Sequence, residues 1–228
     1  MKKYLLIIMV LAFLPTPGKS QVQVRDSYDK SLPFDKRHQA GIRLGVWLNQ
    51  GDEPSGRDSS VVSYKMDIGN TNFYFEGFGA YRLNPRLMFE FSLGFVNRGN
   101  VTLYDGRYSY VGNLVVYSIL AHVKLYPLPR MLGKLYPYIT AGGGLYYGRH
   151  DVQFTTDYDF FRVFNEKSGT DFNYVVGGGF DWPLSGTIGL DMNVKYMPIS
   201  LSNTIVDISN FDALSISVGV KYLFESGK

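Results

Sequence analysis

The feature that most constrains the fold is the alternation of the last segment, about Asp212 to Phe224. Leu214, Ile216, Val218, Val220, Tyr222 and Phe224 share one face, and Ser215, Ser217, Gly219 and Lys221 share the other. A period of two with unlike faces belongs to a β-strand lying between a polar and an apolar environment. Seven earlier segments divide in the same way, beginning near residues 39, 70, 86, 110, 135, 171 and 187. Several hold a charge at mid-strand: Glu90 stands between Phe89 and Phe91, and Asp191 between Leu190 and Met192. A soluble sandwich turns its apolar faces inward and leaves such charges in water. A closed barrel with its ionic face toward the axis and its apolar face toward lipid accounts for the same pattern.

The connections favour the barrel. Leu83-Asn84-Pro85, Pro127 to Lys134 and Pro183-Leu184-Ser185-Gly186 are short turns. The connections at 50–69, around Asp105-Gly106, at 149–170 and at 199–211 are read as loops at the other end. Within the longest of them, Val152-Gln153-Phe154 and Phe161-Arg162-Val163 are candidates to extend the hairpin above the membrane. Eight strands averaging about a dozen residues match the roughly 9–11 that a tilted spanning strand needs. The expected fold is therefore all-β: an eight-stranded antiparallel up-and-down transmembrane barrel, with long extracellular loops and short periplasmic turns.

The domain plan follows. Met1-Lys2-Lys3, the apolar run Tyr4 to Leu14, and Gly18 and Ser20 before Gln21 have the layout of a secretory signal peptide. That run is too short to span a bilayer as a helix. Residues 1–20 are assigned to the signal, 21–38 to a periplasmic lead-in, 39–224 to the barrel and 225–228 to a tail. Aromatics make up 16% of the chain, with 18 Tyr and 16 Phe, and suit girdles at the lipid boundary. Trp47, Tyr110, Tyr126, Tyr136, Tyr147, Trp182 and Tyr196 lie near strand ends and are assigned there. A net charge of +3 without a basic run gives no footing for nucleic acid, and the absence of Cys removes disulfides and thiolate metal sites.

The segment Ser217-Val218-Gly219-Val220-Lys221-Tyr222-Leu223-Phe224 resembles the C-terminal signal of bacterial outer-membrane barrels, with Ser217, Gly219, Tyr222 and Phe224 at its defined positions. In that family the signal commonly ends the chain, whereas here Glu225 to Lys228 follow. Tyr136-Pro137-Tyr138-Ile139-Thr140-Ala141-Gly142-Gly143-Gly144 is similar to a glycine-rich strand of the small OmpW, OmpA membrane-domain and OmpX-like barrels. Gly177-Gly178-Gly179-Phe180-Asp181-Trp182, with Gly189-Leu190-Asp191 and Lys195-Tyr196, is similar to their next hairpin. The resemblance implies an eight-stranded barrel in the outer membrane of a Gram-negative cell. Its implied partners are membrane lipids, lipopolysaccharide and, during insertion, the barrel-assembly machinery; the expected state is a monomer. It implies no single activity, because this fold carries anchors, adhesins, conduits and lipid-modifying enzymes.

The residues placed in the lumen are Arg43, Glu76, Glu90, His122, Lys124, Asp181, Asp191, Lys195 and Lys221. Leaving His aside, they balance, four cations against four anions. An eight-stranded barrel has room inside for little more than its own side chains, so a salt-bridged plug is the leading expectation. A narrow or gated passage is the alternative, with gaps at Gly142, Gly144, Gly177 and Gly179 as its basis. Catalysis has a thin foundation. His38 precedes the first strand, His122 has Lys124 rather than Ser two residues on, and His150 adjoins Asp151. The spacing of Asp151, Asp157 and Asp159 fits no defined calcium loop. The expectation is a non-enzymatic outer-membrane barrel, structural or passing small solutes, with no catalytic or metal residues and no cofactor. An outer-membrane lipid-modifying enzyme and a secreted ligand-binding barrel are the competing readings.

Overall fold

The computed structural model describes residues 37–52, 63–84, 86–105, 108–127, 135–155, 167–205 and 208–225. The chain divides into residues 1–32 and 33–228, and all described residues belong to the second unit. The expected signal peptide, the lead-in up to residue 36 and the tail beyond Glu225 lie outside the described residues.

The strands are β1 (Arg37–Asn49), β2 (Ser63–Ile68), β3 (Thr71–Asn84), β4 (Leu87–Asp105), β5 (Tyr108–Leu125), β6 (Tyr136–Thr155), β7 (Lys167–Pro183), β8 (Ile188–Met197), β9 (Ser200–Ile205), β10 (Ile208–Asn210) and β11 (Ala213–Glu225). Eight of them close an antiparallel ring in the order β1, β3, β4, β5, β6, β7, β8, β11. The last strand joins the first along its whole length, with Ile42 opposite Val220 and Arg43 opposite Gly219. Closure leaves the ring without a free edge, which a sheet in hydrocarbon requires.

The phase of each strand follows the alternation in the sequence. Outside stand Ile42, Leu44, Phe73, Phe89, Phe91, Leu93, Ile119, Ile139, Met192, Val194, Val218 and Val220, all exposed. On the same strands Arg43, Glu76, Glu90, Lys124, Asp191, Lys195 and Lys221 are buried within. Apolar surface outside and ionic groups inside invert a water-soluble barrel. The molecule has the architecture of a transmembrane one, and the secreted ligand-binding barrel is set aside.

Three connections differ from expectation. Within the expected 50–69 loop, β2 pairs with the outer part of β4, from Ser63 opposite Tyr104 to Ile68 opposite Gly99. The cause is an unsatisfied edge: β3 pairs with β4 only as far as Val96, and β2 takes over the side of β4 left bare above it. Second, Val152-Gln153-Phe154 does extend a hairpin, but against β5 rather than β7. Gly112 faces Val152, while the pairing of β6 with β7 ends at His150 opposite Lys167. Phe161-Arg162-Val163 lies outside the described residues. Third, the 199–211 connection is a small hairpin, β9 with β10, whose Ile199, Leu201, Ile205, Ile208 and Phe211 are buried.

The turn between β3 and β4 is built on Asn84, whose Oδ1 accepts hydrogen bonds from the backbone N–H of Arg86 and of Leu87, both at 2.9 Å. Ser185 does the same for the β7–β8 turn, accepting from Ile188 N–H at 3.0 Å.

The aromatic assignment needs correcting in part. Trp47, Tyr126 and Tyr136 are buried in the lumen rather than placed at the lipid boundary. Proximity to a strand end suggests a girdle, but parity decides direction: Trp47 is in phase with Arg43, Tyr126 with Lys124, and Tyr136 with Tyr138. Trp182 faces outward as expected, joined by Phe73, Tyr81, Phe172, Tyr174, Tyr222 and Phe224.

Candidate functional site

The nine residues placed in the lumen are all buried. Seven of them form one contiguous ionic network, and the Lys221–Asp181 pair adjoins it. Arg43 is the hub. Its Nη1 lies 2.5 Å from Glu76 and 2.6 Å from Glu90, its Nη2 2.9 Å from Glu90, and its Nε 2.5 Å from Asp191. Lys124 bridges Glu90 at 2.8 Å and Asp191 at 3.0 Å. Lys195 holds Glu76 at 2.6 Å, and His122 Nε2 meets Glu90 at 2.9 Å. Lys221 pairs with Asp181 at 2.5 Å, and Asp181 stands opposite Asp191 across β7 and β8. Every one of these four cations thus has a carboxylate oxygen within 3.0 Å.

The charge pattern of the strands identifies these ionic groups but does not single out the neutral ones that complete the network. Tyr74 donates to Glu76 at 2.8 Å, Tyr126 to Asp181 at 2.6 Å and Tyr138 to Asp191 at 3.1 Å. Asn193 donates to Asp191 at 3.2 Å, and Lys221 to Gln39 Oε1 at 3.1 Å. Arg43 also lies over the Phe78 ring at 3.6 Å and Lys124 over Tyr138 at 4.2 Å. All share the inward parity of their strands, which is the signal that finds them.

The glycines do not provide the expected gaps. A Cβ at Gly144 would collide with the carbonyl oxygen of Ile119, at Gly142 with that of Ala121, at Gly177 with that of Val194 and at Gly179 with that of Met192. Tight curvature brings neighbouring backbone over these positions, so the missing side chains are space already used.

Beyond the ionic layer, toward the long-loop end, the lumen changes character. Trp47, Tyr74, Val96, Leu114, Val116, Tyr146, Val175 and Met197 project inward and form one buried apolar cluster with Ile199, Leu201, Ile205, Ile208, Phe211 and Ala213. The β9–β10 hairpin supplies several of these and fills the mouth from above. Its Leu201 and Ile205 methyls approach Gly148 on β6, where a Cβ would displace both. The interior is therefore ionic in one half and apolar in the other, not polar throughout. Most side chains in phase with Arg43 and Glu90 cease to be charged above the ionic layer, and residues assigned to an outer loop turn inward.

The remaining candidates are dispersed. Ser217 and Gly219 face the lumen on β11, while Tyr222 and Phe224 face outward and stack with ring centres 6.4 Å apart. His38 stacks on Tyr81 at 4.4 Å at the short-turn end, and His150 is buried near the opposite end. His122 has a carboxylate, not a hydroxyl, on its Nε2. Asp157 and Asp159 lie outside the described residues. Among the described residues, no group of three or more His, Cys, Asp or Glu side chains is arranged to hold a metal ion.

No known family profile matches the chain, and no curated protein matches it. Solved structures do share its fold. OprG, an outer membrane protein from Pseudomonas aeruginosa, is 14% identical, with 86% of this chain and 100% of that one covered and a TM-score of 0.50. Ail, the attachment invasion locus protein of Yersinia pestis, was solved with the heparin analogue sucrose octasulfate. It is 14% identical, with 83% and 99% covered and a TM-score of 0.47. Neisserial surface protein A is 14% identical, with 82% and 97% covered and a TM-score of 0.46. At such identity the likeness to OprG establishes the fold, that of the small eight-stranded outer-membrane barrels, and nothing of a shared activity.

Proposed function

We propose that this chain is an integral barrel of a Gram-negative outer membrane, non-enzymatic, whose lumen is closed by its ionic network. The observation that carries the reading is the pairing of charge within that network: four cations and four carboxylates, all buried and each in contact with an opposite charge. Opening a path along the axis separates these charges, and a charge left buried without its partner costs several kcal/mol. Export by residues 1–20, insertion through the signal at Ser217, Gly219, Tyr222 and Phe224, and a monomeric state in contact with lipopolysaccharide belong to the same reading. The bonding of His122 to Glu90 supports a structural use of that imidazole over a catalytic one.

Single-channel recording in a planar bilayer tests this. The expected result is electrical silence from protein that still migrates faster on a gel unheated than heated, the mark of a folded barrel. A steady current from the folded protein would replace closure with small-solute passage. Altered lipid A in cells expressing the protein, lost on His122→Gln or His150→Gln, would replace both with the lipid-modifying reading.

A further inference from the structure

One cation in the lumen differs from the four that are paired. Arg98, on β4 above the apolar band, has a fully buried side chain, at 0% exposure, and its Nε, Nη1 and Nη2 all lack a hydrogen-bond partner among the described residues. No described carboxylate pairs with it; it lies over the ring of Phe211, with Cζ 5.4 Å from the centroid. A guanidinium stays charged, and a buried unpaired charge is among the costliest groups a fold can carry.

Arg98 shares the inward parity of Glu90, Ser92 and Val96, and the backbone changes register at this point. Asn97 faces Val115 and Gly99 faces Leu114, so two steps along β4 match one step along β5, and Arg98 is the extra residue of a β-bulge. Gly99 has φ 119°, a conformation that side-chain-bearing residues rarely adopt, and its N–H bonds to Asn97 Oδ1 at 3.0 Å. On the other side, Gly69 N–H donates to the Arg98 carbonyl at 3.2 Å. Bulges recur at the rims of barrels and beside active sites.

The surroundings share the deficit. In the apolar cluster beside it, Trp47 Nε1 and the Tyr146 hydroxyl are also buried without partners among the described residues. Trp47 Nε1 donates only, and the hydroxyl donates as readily as it accepts. The outer half of the lumen thus combines a planar cationic fork, further donors without acceptors, and apolar walls from Trp47, Met197 and Phe211.

We propose that Arg98 anchors an oxyanion-binding site in the outer half of the lumen. Its ligand is a small amphiphile whose carboxylate or phosphate takes the guanidinium fork and whose apolar body takes the place of β9–β10 hairpin side chains against the Trp47 side of the cluster. A guanidinium matches either headgroup in two-pronged fashion. The site stands above the ionic layer, so it does not depend on whether that layer conducts.

The two tryptophans make the test direct, because Trp182 faces lipid and Trp47 lies in the proposed site. Full-length Trp182→Phe protein, folded in a non-ionic detergent, is titrated with ω-bromoundecanoate and with ω-bromoundecanol, whose bromine quenches indole on contact. The expected result is saturable quenching of Trp47, with the acid about tenfold or more tighter than the alcohol. Arg98→Gln should erase that preference while unheated gel mobility stays that of a folded barrel, and Arg98→Lys should keep part of it. Inorganic phosphate that competes with the acid identifies the headgroup as sufficient, and failure to compete identifies the amphiphile as required; either supports the site. Equal quenching by acid and alcohol, a preference that survives Arg98→Gln, or no quenching by either overturns it. Should Arg98→Gln not fold, the acid-to-alcohol comparison and Arg98→Lys decide.

Discussion

The guanidinium of Arg43 on β1 and the carboxylate of Glu90 on β4 meet in a two-pronged ion pair, Nη1 to Oε1 at 2.6 Å and Nη2 to Oε2 at 2.9 Å, spanning the width of β3. The same guanidinium reaches Glu76 and Asp191, so one side chain ties β1, β3, β4 and β8 together at a single level of the lumen.

Removing that hub should cost more than removing any one of its partners. Arg43→Met leaves three carboxylates short of a shared cation, and a loss of about 3–5 kcal/mol is expected. Glu90→Gln keeps Arg43 on Glu76 and Asp191 and keeps Lys124 on Asp191, so a loss of about 1–3 kcal/mol is expected. Urea midpoints in lipid vesicles give the order. Equal midpoints for the two variants would show that the hub is dispensable.

The outer face predicts a dependence on depth. Leu93 lies midway along the apolar band and is exposed, so Leu93→Arg should cost about 2–4 kcal/mol in a bilayer. Phe224→Arg, next to the end of β11, should cost about 0–1 kcal/mol. A matching pair of values in vesicles would mean that the band does not contact hydrocarbon.

Two glycines should respond in opposite directions. A methyl group added at Gly77 would meet nothing within 4 Å, and Gly77→Ala should be neutral or stabilising by up to about 1 kcal/mol. Gly144→Ala drives its methyl into the backbone of β5 and should cost about 1–3 kcal/mol. Folding yield and urea midpoint check both. A tolerated Gly144→Ala would restore the inward gap that favours passage.

The hairpin over the mouth carries a prediction of its own. Ile205 is fully buried against β6, and Ile205→Ala should cost about 2–5 kcal/mol of the hairpin's attachment. The readout is amide exchange over Ser200–Ile205, which should quicken there while β11 is unchanged. Unaltered exchange at these amides would place the hairpin outside the lumen.

Much of this architecture is written in the parity of the strands. A side chain's direction in a sheet depends on odd or even position alone, so Arg43, Glu76, Glu90 and Lys195 are legible as a set without any distance. The same rule, applied without exception, turns Trp47 and Tyr126 inward, whereas nearness to a strand end says only how high an aromatic sits and not which way it points. What parity does not contain is packing between elements distant in sequence. Nothing local to Ile199, Leu201 and Phe211 says that their connection folds back into the mouth, because their apolar character is satisfied only by walls contributed by other strands. The bulge at Arg98 is equally silent, since it exists through a register mismatch between β4 and β5.

The pairing of β4 with β5 continues to Asp105 opposite Tyr108, well past Phe95, where the apolar outer band on β4 gives way to Asn97. At about 3.3 Å per residue the ladder reaches roughly 20–30 Å farther. β2 braces one flank and β6 the other. In the outer-membrane setting proposed above, that length carries the far ends of β4 and β5 off the headgroups and among the surface sugars, where solutes from the medium meet them ahead of the bilayer.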